Sequence, residues 1–225
     1  MVMTRRQVVL AGAAAGLLGP HVPVAHALTF EEETVERARL TVLELVGDPD
    51  FNILPPTLAR ARGVLIFPEL YRGGFLVGGE GGIGVFLVRR TDGSWGYPAF
   101  YLMAGASFGL QIGGQISELV LVVMTDRGIE AILSRYATLG ADANVAVIAV
   151  GAGVEARTGM DLDADMYAFA RNQGLFAGGA LEGSVVSAYT DWNELYYNRG
   201  ATPRAIFSGQ YTNTHAQPLR DSLPR

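Results

Sequence analysis

Residues 29–46 repeat apolar and polar positions with helical spacing, and Val35, Ala38, Val42, Leu45 and Val46 fall on one face. Thr29 precedes the run with Glu32 three places on, which makes a capping box. Glu31, Glu32 and Glu33 put negative charge at the positive end of the helix dipole, and Gly47-Asp48-Pro49 ends the helix. A shorter helix is predicted over 56–61, with Pro56 in its first turn. From Gly63 the pattern changes to short apolar runs. Strands are predicted over 64–67, 75–77, 83–88, 95–102, 107–112 and 119–124, with Thr91-Asp92-Gly93-Ser94 as a hairpin turn. Asp126 is placed to cap a helix reaching about Tyr136. Further strands are predicted over 145–150, 166–171 and 185–189, and Thr190 is placed to cap a last helix over 191–197. The remaining residues, 199–225, are mostly polar and carry three prolines, which predicts a mobile tail.

The 29 glycines are about twice the ordinary share. They recur after aromatics, as in Phe75 before Gly78-Gly79, Phe108 before Gly113-Gly114 and Phe176 before Gly178-Gly179. Strands bent at glycines suit a strongly curved sheet. With 225 residues, one domain is expected. The fold class is α+β: a single glycine-rich domain over 28–198, with a curved, mainly antiparallel sheet or partly closed barrel and a few flanking helices.

The front of the chain reads as an export signal over residues 1–27. Arg5 and Arg6 form its charged region, residues 8–18 its apolar stretch, and Ala25-His26-Ala27 supplies small residues for cleavage after Ala27. The apolar stretch is shorter than the roughly 20 residues a spanning helix needs. Thr4-Arg5-Arg6-Gln7-Val8-Val9-Leu10 is similar to the twin-arginine export motif, with the general secretory route as the alternative. The expected location is therefore the periplasm or cell envelope.

Charge and missing residue types narrow the chemistry. The net charge is −5; cleavage after Ala27 leaves 15 basic against 22 acidic residues, or −7. No nucleic-acid partner is expected of such a chain. There is no cysteine and every basic residue is Arg, which excludes thiolate chemistry, a Schiff-base lysine and a Walker-type phosphate lysine. Of His21, His26 and His215, only the last survives cleavage. No cofactor or metal is expected.

Several motifs test as decoys. Gly79-Glu80-Gly81-Gly82-Ile83-Gly84 matches a dinucleotide-binding pattern, but residues 85–88 continue as a strand where that motif needs a helix, so no nucleotide is expected. Gly105-Ala106-Ser107-Phe108-Gly109 matches a nucleophile elbow, with Asp142 or Asp161 as the acid and His215 as the base; again no helix is predicted to follow. Asp161-Leu162-Asp163-Ala164-Asp165 opens like a calcium loop but has Met166 and Asn172 where Gly and Glu are required. Arg60, Arg62, Arg72, Arg89 and Arg90 are candidate contacts for a lipid phosphate, set against a reading as ordinary surface arginines.

From Thr34 to Tyr197 the chain resembles the SYLF-domain family. The resemblance rests on Ala61-Arg62-Gly63-Val64, Gly74-Phe75, Gly82-Ile83-Gly84-Val85, Trp95, Pro98-Ala99-Phe100 and Ser107-Phe108-Gly109-Leu110-Gln111-Ile112-Gly113. It continues through Gly174-Leu175-Phe176-Ala177-Gly178, Leu181-Glu182-Gly183, Asn193 and Tyr196-Tyr197. It implies a lipid-binding domain, whose eukaryotic members include an actin-binding module. Their phosphoinositide binding uses in part a basic N-terminal segment; here that segment begins Glu31-Glu32-Glu33, so neither that preference nor actin binding is carried over. The expected function is non-catalytic binding of phospholipid or a membrane surface. The alternatives are a structural or protein-interaction envelope module without lipid affinity, its protein partner unidentified, and a Ser107 hydrolase.

Overall fold

In the computed structural model, residues 27–147, 164–171, 181 and 183–224 are described, with the backbone alone at 73–77, 106–115 and 147. The first helix, α1 (Phe30–Gly47), starts as its capping box dictates: Thr29 Oγ1 accepts from Glu32 N–H at 3.2 Å, and Thr29 N–H donates to Glu32 Oε2 at 3.0 Å. Val35, Ala38, Thr41, Val42 and Leu45 are buried, and α1 packs on the first strand through this face. A 3₁₀ turn (Pro49–Phe51), capped by Asp48, leads to α2 (Leu54–Arg60).

Six of the predicted short strands are two long ones. β1 (Gly63–Val88) and β2 (Ala99–Val123) run antiparallel in register from Gly63 opposite Val123 to Phe86 opposite Ala99, with irregularities after Phe67 and after Gly74. The glycines that look like strand ends in the sequence stay inside the ladder. β2 is the centre of the sheet. On its other edge it pairs with β5 (Met166–Ala170) at residues 119–123 and with β6 (Val185–Ala188) at residues 101–104. β3 (Ala137–Thr138) extends from β6, and β4 (Val145–Val147) from β5, the latter the one parallel pair among the described strands. The class is α+β with a curled, mostly antiparallel sheet.

β1 curls until its ends meet. Arg89 N–H, just past its last residue, donates to the Arg62 carbonyl just before its first, at 2.7 Å. A Cβ on Gly82 would collide with the Glu69 carbonyl, and one on Gly84 with the Ile66 carbonyl and the Phe67 ring. The two arms of the strand therefore cross at backbone distance, a contact only glycine allows. Phe67, Phe86, Phe100 and Tyr101 fill the interior, with Phe86 edge-on to Tyr101 and to Phe207.

The helices after the sheet close over this core. α3 (Asp126–Leu133) is capped by Thr125 rather than Asp126, Thr125 Oγ1 accepting from Gly128 N–H. α4 (Thr190–Tyr196) has no side-chain cap, so Thr190 does not take the predicted role. Buried Asn193 on α4 clamps the backbone of Phe100: its Oδ1 accepts from Phe100 N–H at 2.8 Å, and its Nδ2 donates to Phe100 O at 3.2 Å. Tyr197 Oη donates to Pro98 O at 2.6 Å.

The predicted mobile tail is corrected by the structure. Residues 203–224 fold into α5 (Pro203–Phe207), a 3₁₀ turn (Thr214–Ala216) and α6 (Gln217–Ser222), and α6 packs on α1. Ile206, Ala216, Leu219 and Leu223 are buried, which offsets the entropy of ordering this segment.

Candidate functional site

The arginines proposed from the sequence have separate fates. Arg89 is committed to the fold. Its Nε donates to Ala61 O at 2.8 Å, its Nη1 to Gly93 O at 3.0 Å, and its Nη2 to Leu58 O at 2.8 Å and Pro224 O at 3.1 Å. It also stacks on Trp95, 4.3 Å from the ring centroid. Burial lowers its pKa. Arg72 lies farther along β1, opposite Gln115, and makes a two-pronged ion pair with the buried carboxylate of Glu80, which also accepts from Ser184 Oγ at 2.8 Å. Arg62 is exposed and pairs with Asp126 at 2.8 Å; Arg60 and Arg90 are exposed on α2 and the hairpin turn. The structure brings the backbones of Arg62 and Arg89 together and sets Arg72 apart from them. Arg60, Arg62 and Arg90 are the members of the set open to solvent.

The motif residues fall in regular structure. Gly79–Gly84 lies within β1 with strand on both sides, and Ser107 pairs with Gly78 in the middle of β2, so neither phosphate loop nor nucleophile elbow is formed. The side chain of Ser107 and residues 161–163 of the acidic run lie outside the described residues. Asp165, at the end of that run, is buried and accepts from Arg127 and from Asn144 N–H at 3.0 Å. His215 sits on the 3₁₀ turn with Nδ1 3.4 Å from Tyr196 Oη. Among the described residues no cluster of His, Asp and Glu is arranged to hold a metal ion. No helix among them is long and apolar enough to cross a membrane.

What the sequence did not reveal is a groove of about 590 Å³ between the first turns of α1 and the crossing arms of β1. Its lining is mostly apolar and includes Phe30, Tyr71, Ile83, Leu102 and Trp192, with Gly81 and Gly82 of β1 also on its wall. Phe30 is 75% exposed and Tyr71 52% exposed at its rim, unusual for aromatics on a folded domain. Its charged members are Arg37, Glu33 and Glu69. Arg37 Nη2 donates to Glu33 at 2.7 Å, Arg37 Nη1 pairs with Glu69, and Tyr71 Oη donates to Glu69 Oε2 at 2.9 Å. The Glu33–Arg37 spacing along α1 was the one trace of this site in the sequence; Tyr71 and Trp192 lie more than a hundred residues apart and meet only through the fold.

A second hollow, about 570 Å³, lies among α3, β6 and α5, with Arg135, Tyr136 and Arg204 on its walls. Arg204 is paired with Glu130 at 2.7 Å.

Comparison with known proteins places this architecture. The family described as "Ysc84: Las17-binding protein actin regulator" matches residues 104–225. The SH3 domain-containing YSC84-like protein 1 of Bos taurus is 33% identical over 177 residues, which cover 78% of this chain and 52% of that protein. The human protein of the same name is 34% identical over 150 residues, 66% of this chain and 44% of its own. LAS seventeen-binding protein 3 of Saccharomyces cerevisiae is 29% identical over 199 residues, 86% of this chain and 43% of its own. The chain thus spans about half the length of the curated relatives it matches. The matched span takes in most of β2 and the helices that clamp it, and the chain belongs to the Ysc84 family, the SYLF-domain family its glycine and aromatic motifs resemble.

Proposed function

We propose that this protein is a non-catalytic binding protein of the cell envelope that engages phospholipid or a membrane surface through the groove between α1 and β1. One observation carries the reading: a mainly apolar groove of about 590 Å³ is open to solvent and rimmed by the exposed rings of Phe30 and Tyr71. Amphipathic surfaces of this kind lower their free energy by placing apolar side chains at the headgroup–acyl boundary. With a mature charge near −7, apolar contact rather than attraction to anionic lipid drives the association. Arg60, Arg62 and Arg90 serve as peripheral phosphate contacts. Arg72 and Arg89, engaged by Glu80 and by four carbonyls, contribute by holding the sheet in shape. Export across the inner membrane, directed by residues 1–27, brings the protein to the surface it binds.

The test is co-sedimentation of the mature chain, residues 28–225, and of its Phe30→Ser/Tyr71→Ser variant with neutral and anionic liposomes, at low and physiological salt. The expected result is binding of the parent chain that changes little with salt and falls at least severalfold in the variant. Equal binding of the two proteins would remove the groove from the interaction.

A second reading, a protein-interaction module, draws on the relatives, which are named as SH3 domain-containing and Las17-binding proteins. Leu40 and Leu43 on the outer face of α1 and Leu195 on α4 are exposed and available for such a contact. Absence of liposome binding together with stoichiometric capture of a defined envelope protein, lost on Leu40→Ser/Leu43→Ser substitution, would select it.

A further inference from the structure

The lining of the α1–β1 groove also bears on which headgroup it takes, an inference that rests on the binding role proposed above. Three aromatic side chains, Phe30, Tyr71 and Trp192, line it, and its ionised members are two carboxylates and one guanidinium. Arg37 lies between Glu33 and Glu69 and pairs with both, so its charge is spent and the groove retains a net charge of −1. The positive end of the α1 dipole offers no compensating anion site, because Glu31, Glu32 and Glu33 occupy the first turn and Thr29 and Glu32 cap each other. An anionic head entering here meets the net negative charge of three partly exposed side chains, a repulsion that is modest and weakens with added salt.

A cation meets the opposite field. Both carboxylates already accept hydrogen bonds, Glu33 from Arg37 and Glu69 from Arg37 and Tyr71. A quaternary ammonium has no N–H to satisfy; it favours apolar contact, aromatic rings and negative charge, and the residues lining the groove include all three. The geometry points to the trimethylammonium head of a lipid as the occupant of this groove, the head near Glu69 and Tyr71 and an acyl chain along Ile83 and Leu102. This preference is opposite in sign to that expected of a basic lipid-binding surface.

Isothermal titration of the mature chain, residues 28–225, with dodecyltrimethylammonium and with dodecyl phosphate, both below their micelle concentrations, tests it. The expected result is at least tenfold tighter binding of the ammonium amphiphile. In a Glu33→Gln/Glu69→Gln variant, with circular dichroism showing an unchanged fold, that preference should fall below about threefold, both because the ammonium amphiphile binds more weakly and because Arg37, left without its carboxylates, favours the phosphate one. Tyr71→Ala should weaken the ammonium amphiphile and leave the phosphate one nearly unchanged. Equal binding of both heads, tighter binding of the phosphate, or a preference that survives the double substitution overturns the headgroup inference while leaving the groove as a lipid site. Binding of neither amphiphile overturns both.

Discussion

The backbone N–H of Arg89 donates to the carbonyl of Arg62 at 2.7 Å, although the 26 residues of β1 lie between them. Laid flat, a strand of that length would reach ~85 Å at about 3.3 Å per residue. Its ends meet because the strand curls through its glycine-rich middle and crosses itself where Gly82 and Gly84 lie against the backbone of residues 66–69. The same crossing leaves the groove beside α1, so the curl of one strand connects the fold to the candidate site.

Gly84→Ala should therefore be among the most damaging small substitutions in the chain. Its methyl group would meet the Ile66 carbonyl and the Phe67 ring, neither of which can swing aside. Overpacking of this kind costs about 1–3 kcal/mol. Gly47→Ala is the control, since nothing lies within 4 Å of its Cβ position. Urea denaturation of the two variants should separate them clearly; similar midpoints would mean that the arms of β1 do not cross as described.

Arg89→Lys should destabilise the protein by about 1.5–3 kcal/mol, the range for hydrogen bonds to charged groups. An ammonium cannot reproduce a planar fork that reaches the carbonyls of Leu58, Ala61, Gly93 and Pro224 while stacking on Trp95. Hydrogen exchange should show faster opening around residues 217–224. A variant as stable as the parent would show that these contacts are dispensable.

Removal of residues 209–225 should abolish cooperative unfolding. It deletes the buried Ala216, Leu219 and Leu223 and the Pro224 carbonyl to which Trp95 Nε1 donates at 2.8 Å. Near-ultraviolet circular dichroism and a thermal melt read the outcome. A truncated chain with the parent's melting temperature would restore the view of this segment as a tail.

Asp165 should contribute to loss of stability in acid. Burial pushes its pKa up, but the Arg127 guanidinium, the Thr125 hydroxyl and the Asn144 N–H outweigh burial and hold it below the ordinary value. A depressed folded pKa stabilises the native state fully above the unfolded value of about 3.9, and the stabilisation is lost as pH falls through the folded value. Unfolding free energy measured between neutral pH and about pH 2 should decline in the parent and decline less in Asp165→Asn. Identical pH profiles would remove Asp165 from the account.

The parts of the fold legible in the sequence are those with local causes. Thr29 and Glu32 announced the start of α1 because a capping box is complete within four residues, and the apolar stripe from Val35 to Leu45 named the face that packs. The glycine spacing announced a bent sheet. Strand length was misread because glycine inside a continuing ladder and glycine at a turn look alike in one dimension. The C-terminal helices leave little trace in the sequence because Ala216, Leu219 and Leu223 stand singly among polar residues and Ile206 belongs to an apolar run of only three, 205–207. Helices of five and six residues have no periodic stripe to display.

By itself the sequence determined a glycine-rich α+β domain, its first helix, the strand-forming segments and the absence of thiol and lysine chemistry. Each of these follows from residue type or from neighbours within a few positions. Only the tertiary structure decided that Arg89 serves the backbone carbonyls, that Asn193 clamps Phe100, and that Phe30, Tyr71 and Trp192 border one groove. Those relationships join positions tens to more than a hundred residues apart. They exist because the sheet curls and the helices close over it, and no local pattern along the chain encodes which distant side chains that curl will bring together.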